Sequence, residues 1–199
     1  MKTLHDEIRA CTHCVPHLPL GPRPVFRADP DARVAVIGQA PGTKVHASGI
    51  PWDDPSGEHL CEWLGITHAE LVDGGRFAIV PMGFCYPGRK GQGDAPPRPE
   101  CAPRWHQRLL DDLPRCELRL LVGQYAQQHY LGKRRKKTLT ETVRAFADYG
   151  PVDFPLPHPS WRSRGWMKRN PWFEADVLPA LRAQIAALLS QTSPGQPPR

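Results

Sequence analysis

Apolar residues fall along this chain in short dense runs, separated by stretches rich in proline and glycine. Residues 33–38 (Arg-Val-Ala-Val-Ile-Gly), Arg76 to Met82, Leu118 to Gly123 and Pro151 to Pro157 each read as a strand. A run of this length bounded by turn residues fits a strand buried on both faces, as in a parallel sheet. Between the strands the spacing turns helical. Residues 2–10 carry Leu4 and Ile8 on one face, and Pro55 to Leu64 carries Leu60, Trp63 and Leu64, with Ser56 as candidate N-cap and Gly65 as the stop. Further helices are expected from Cys101 and over Gln124 to Leu131, while Thr138 to Phe146 fits helix or strand.

Asn170-Pro171 is expected to open the last helix, with Asn as cap and Pro in its first turn. Val177, Leu178, Leu181, Ile185, Leu188 and Leu189 form its buried face, and Pro179 inside that pattern predicts a kink. Strands alternating with helices predict an α/β fold, a parallel sheet covered on both faces. No internal repeat or second domain is visible. One domain over 1–190 and a flexible tail over 191–199 are expected.

Composition adds bounds. A chain of 199 residues, 40% hydrophobic and 23% charged, is that of a globular protein with a sizeable core. The 24 prolines point to long ordered loops. A net charge of +6 favours a polyanionic partner such as nucleic acid, though many basic proteins bind none. No stretch is long and apolar enough to span a membrane, and no membrane partner is expected. The first residues lack an apolar signal core, so a cytoplasmic monomer is expected. In that reducing compartment six cysteines suggest a metal or cluster before disulfides.

Four constellations carry candidate chemistry. The first strand empties into Gly38-Gln39-Ala40-Pro41-Gly42, and Trp52-Asp53-Asp54 follows shortly before a helix. A tryptophan in such a loop suits a planar ligand, and a carboxylate beside it can orient water or steady a cation. The plainer reading is an aspartate turn at a helix start. His158-Pro159-Ser160 ends the fourth strand, where a proline-fixed histidine can donate to a developing anion or simply cap a turn. Cys11-x-x-Cys14 with Cys85 and Cys101 can surround a [4Fe–4S] cluster or a zinc ion, whereas Cys61 and Cys116 read as buried thiols. Finally, the segment from Trp161 to Arg169 interleaves two tryptophans with Arg162, Arg164, Lys168 and Arg169, as a loop entering a DNA groove would. The basic run Lys133 to Lys137 reads as a solvated loop.

Taken together, these residues resemble the uracil-DNA glycosylase superfamily, especially its iron–sulfur families 4 and 5. The resemblance spans about residues 5 to 190 and rests on the four cysteines, Gly38 to Gly42, Gly49-Ile50-Pro51-Trp52 and His158-Pro159-Ser160. It implies a three-layer α/β/α sandwich with a central four-stranded parallel sheet. It also implies a structural [4Fe–4S] cluster on Cys11, Cys14, Cys85 and Cys101, in preference to zinc, and uracil-containing DNA as substrate. By the same resemblance Trp52 stacks on a flipped uracil, and His158 bonds its O2. The backbone at Gly38, Gln39 and Ala40 walls the pocket, and the loop holding Ser160, Trp161, Arg162 and Arg164 penetrates the minor groove.

The chain departs from those families in two places. Val45 and His46 stand where family 4 carries an acidic or similar residue, and Pro81 stands where it carries an asparagine. Asp54-Pro55-Ser56-Gly57 matches the Asp-x-Ser-Gly segment of family 5, one residue closer to the aromatic. Asp54 is therefore the expected catalytic carboxylate, with Asp53 and His46 as second choices. The rival expectations are a non-catalytic DNA-binding protein and a four-cysteine zinc protein on the same fold.

Overall fold

The computed structural model describes residues 2–190, so the expected tail over 191–199 lies outside the described residues. Four parallel strands form the central sheet: β1 (Val34–Ile37), β2 (Phe77–Ile79), β5 (Leu118–Val122) and β6 (Asp153–Leu156), in the order β2-β1-β5-β6. Val36 stands beside Ile79 on one side and Leu120 on the other, and Leu120 beside Phe154. β6 has one neighbour, which is why it tolerates Pro155: an edge strand needs no donor on its outer side. A separate antiparallel pair, β3 (Arg89–Lys90) and β4 (Gly93–Asp94), projects from the loop after β2.

Both faces of the sheet are covered, as the unbroken apolar runs require. Val34 and Val36 point into a core shared with α3 (Pro55–Leu64), α4 (His68–Val72) and α9 (Leu178–Ser190). Ala35 and Ile37 point the opposite way, toward α1 (Leu4–Arg9), α5 (Cys101–Asp111) and α6 (Gln124–Leu131). No helix among the described residues is long and apolar enough to cross a membrane.

Several local expectations give way to different structure. The Gly/Pro loop after β1 contains a short helix, α2 (Thr43–Ser48), bounded by Gly42 and a left-handed Gly49. Thr138 to Phe146 resolves as α7 (Leu139–Arg144), because Thr138 and Glu141 close a capping box. The segment after His158 is not a loop but a helix, α8 (Trp161–Arg169). Trp166 explains why: its indole N–H donates to Thr140 Oγ1 at 2.9 Å and its ring packs on Trp172 and Phe173. Asn170 closes α8, its side-chain amide donating to Trp166 O at 2.8 Å, and also opens the helical segment that leads into α9, its carbonyl accepting from Phe173 N at 3.0 Å. The expected kink at Pro179 takes the form of a π-turn over Phe173–Val177, just before α9. A proline lacks the N–H that would bond four residues back and its ring crowds that carbonyl; the wider turn accommodates both.

One buried polar group ties the core to the edge where ligands bind. His106 is fully enclosed, accepts from the Tyr130 hydroxyl at Nδ1 (2.7 Å) and donates from Nε2 to Pro81 O (3.0 Å). Burial pushes its pKa down to about 4, with His129 adding to the shift and the Pro81 bond opposing it. The folded chain therefore keeps His106 neutral while the unfolded chain protonates near pH 6.5. Stability should be full above about pH 6.5 and fall by about 3 kcal/mol as pH drops toward 4. Denaturant melts across that range should lose this slope in His106→Gln.

Candidate active site

The loops after β1, β2 and β6 meet at the carboxyl edge of the sheet and enclose a pocket of about 580 Å³ including its open mouth. That size is typical of small-ligand sites. Gly38, Gln39, Ala40, Pro41 and Gly42 form its floor, Pro81 closes one side, and Trp52, Asp54 and His158 line it together.

Trp52 is held by a tight backbone arrangement. Its φ is 58°, a left-handed conformation that costs a non-glycine residue roughly 1–2 kcal/mol. Its carbonyl packs so closely on Gly57 that any Cβ there would overlap it, which explains the glycine three residues after Asp54. Its ring lies over Gly38, where a Cβ would come within 2.9 Å of Cζ2. The indole and the His158 ring are 6.2 Å apart and tilted by 41°.

Asp54, not Ser56, caps α3. Its Oδ1 accepts from Gly57 N at 2.9 Å, with Pro55 in the first helical position. A carboxylate has a second oxygen, and Oδ2 faces Gly42 within the pocket. The helix-start reading and the pocket reading of Asp54 are therefore both true. Burial pushes the pKa of His158 down, with the Asp54 charge opposing, so the imidazole is neutral at pH 7.

Asp53 is exposed and outside the pocket lining. His46 also lies outside it: the ring sits 6.0 Å from Tyr86, Nδ1 is buried without a hydrogen-bond partner among the described residues, and burial lowers its pKa. Ser160, Trp161, Arg162 and Arg164 are likewise not pocket residues. Ser160 precedes α8, Trp161 is 76% exposed under the Arg162 guanidinium, and Arg162 and Arg164 are exposed on the helix.

Sequence reasoning missed Asp94, which reaches the pocket from the β3–β4 hairpin and approaches Gly42 alongside Asp54. Burial raises its pKa and the Asp54 charge adds to the shift, while Arg89 opposes it. The signal was the two-residue Gly91-Gln92 connection, with Gly91 at φ 60°, a common hairpin turn. Also missed were the histidines that hold the loops. His68 donates to Pro51 O at 3.0 Å, and His59 donates to Pro159 O at 3.3 Å. Gln39 Nε2 donates to Ala95 O at 3.2 Å, which ties the first loop to the hairpin.

Away from the pocket, Cys11, Cys14, Cys85 and Cys101 line a second cavity with Ile8, Leu18, Phe84 and Trp105. Burial pushes Cys85 up to about 11 and Cys101 up to about 12, and the neighbouring thiols add to both shifts. Phe84 N donates to Cys101 Sγ at 3.4 Å. Among the described residues no three His, Cys, Asp or Glu side chains converge closely enough to hold one metal ion. Cys61 is buried in the core, and Cys116 donates to Leu118 O at 3.6 Å.

Asp54→Ala should cost about 1 kcal/mol of stability through the lost cap, whereas Asp54→Asn should cost far less, because the amide oxygen can still accept from Gly57 N. Chemical denaturation of the two variants measures the difference.

The family model of the uracil DNA glycosylase superfamily matches residues 26–182, from the segment before β1 into α9.

Proposed function

The chain belongs to the uracil DNA glycosylase superfamily, and on that premise we propose that it flips uracil, or a related deaminated base, from DNA and hydrolyses its N-glycosidic bond. The observation that carries this reading is the meeting of Trp52, Asp54 and His158 in one pocket at the carboxyl edge of the sheet.

Cleavage of this bond leaves a cationic, oxocarbenium-like sugar and a base anion, so catalysis needs one negative and one hydrogen-bond-donating group. Asp54, with Oδ1 fixed by Gly57 N, presents Oδ2 to oppose the sugar charge and orient water. His158, neutral because it is buried, donates an N–H toward O2 as the base departs. Extrusion of the base from the duplex costs a few kcal/mol, less for a mispaired uracil. Stacking on Trp52 returns about 1–3 kcal/mol of that. Trp161, exposed at the start of α8, serves as the wedge, and Arg162 and Arg164 meet phosphates.

The same reading places a structural [4Fe–4S] cluster on Cys11, Cys14, Cys85 and Cys101, remote from the reacting bond. Four thiols on one cavity supply the donor set such a cluster takes. Burial raises the pKa values of Cys85 and Cys101, a cost that a cationic iron core would offset.

Asp54→Asn should lower uracil excision at least a hundredfold while leaving duplex affinity within a few-fold. Near-wild-type excision by this variant would remove Asp54 from the reaction. Protein purified without oxygen should absorb broadly in the visible, and Cys85→Ser should lose the colour and unfold at lower temperature. Colourless protein carrying stoichiometric zinc would replace the cluster with the zinc reading.

A further inference from the structure

The basic run Lys133 to Lys137 is exposed at all five positions, yet part of it borders a cleft. Arg135, Lys136 and Lys137 line a cleft between α6 and α7, together with Gln124, Thr138 and Thr142, whereas Lys133 lies outside it. The cations of the run are differently committed. Arg134 pairs with the buried Asp153 at 2.9 Å and Lys136 with Asp148 at 2.7 Å. Arg135 uses Nε on Gly132 O at 3.3 Å, which leaves its other guanidinium donors for a ligand, and neither Arg135 nor Lys137 has an ion-pair partner among the described residues. The carboxylate of Glu141, which shares a surface hollow with Lys136 and Lys137, accepts from Thr138 N and Oγ1 at 2.9 and 3.0 Å.

Position gives this cleft its meaning. Gln124 directly follows Gly123, where a Cβ would stand 3.5 Å from the Cβ of His158, so the Gln124 end of the cleft is one residue away from a contact with the pocket histidine. The other side adjoins α8, tied to α7 by the Trp166 bond to Thr140. Arg162, Arg164, Lys168 and Arg169 of α8 are exposed. A forked guanidinium and an ammonium beside amide and hydroxyl groups suit a phosphate diester.

We propose that the cleft between α6 and α7 seats a backbone phosphate of the DNA strand flanking the base pocket, held by Arg135 and Lys137. This rests on the reading of the pocket as a DNA glycosylase site. The seat fixes the register of the duplex on the enzyme, on the side of His158, without contacting the reacting nucleotide.

The test compares Arg135→Gln/Lys137→Gln with Lys133→Gln on an undamaged DNA duplex, using fluorescence anisotropy over a range of salt. The double variant should weaken binding roughly tenfold near physiological salt and flatten the log-log salt slope by about 1, the value for one phosphate. Lys133→Gln, in the same run but outside the cleft, should change the slope by much less than half that amount. Arg135→Lys/Lys137→Arg should retain most of the affinity, which separates lost contacts from lost folding. An unchanged slope in the double variant, or an equal loss per charge at Lys133, would overturn the seat in favour of diffuse attraction. Because the duplex contains no uracil, the result is independent of whether the pocket excises it; failure of excision alone would count against the pocket reading and not the seat.

Discussion

Every proline in a loop contributes a carbonyl oxygen but no N–H, so a chain with 24 prolines has more backbone acceptors than donors at its loop edge. Here side chains supply the missing donors. His68 bonds Pro51 O, His106 bonds Pro81 O, Gln39 bonds Ala95 O and His59 bonds Pro159 O. Each of these carbonyls sits on a segment that shapes the pocket, and the donors come from three helices and a neighbouring loop. The ring nitrogens must carry hydrogen to serve these carbonyls, which settles the tautomer of each. A scaffold of helices thus holds loops that cannot form ladders of their own.

The second constraint is steric. The left-handed Trp52 places its carbonyl against Gly57 and its ring over Gly38, and both contacts depend on a missing Cβ. The same turn sets Asp54 at the helix start, with one oxygen anchored and the other facing Gly42. Aromatic platform, carboxylate and backbone floor are therefore positioned by one turn of chain rather than by three independent features. The hairpin brings Asp94 to the same corner, so two carboxylates and His158 line one pocket.

How much of this could be read in advance depended on burial. β1, β2, β5 and β6 are covered on both faces, so their apolar runs are unbroken, and their places along the chain and the parallel class of the sheet were legible. α8 was not: of its nine residues only Trp166 and Met167 are apolar and packed against the core, and a cation-rich segment with tryptophans has no helical stripe to detect. α2 is six residues between two glycines, too short to show a period. Trp52, Asp54 and His158 could be named because each falls on a motif that resembles the family; position alone favoured plainer roles for Asp54 and His158. Asp94, His59 and His68 could not, since their roles arise only when separate segments meet. Ser56 was chosen as cap because it is a good capping residue; Pro55 after Asp54 was the better sign, as proline favours the first helical position.

The proposed catalysis by the Trp52–Asp54–His158 pocket stands or falls on the identity of the base released. The most direct measurement is the release of free base from matched duplexes that differ only in carrying uracil, thymine or cytosine at one position. The account predicts multiple-turnover release of uracil, leaving an abasic site, with no release of thymine or cytosine. Tight duplex binding with no base released from any of them would contradict it.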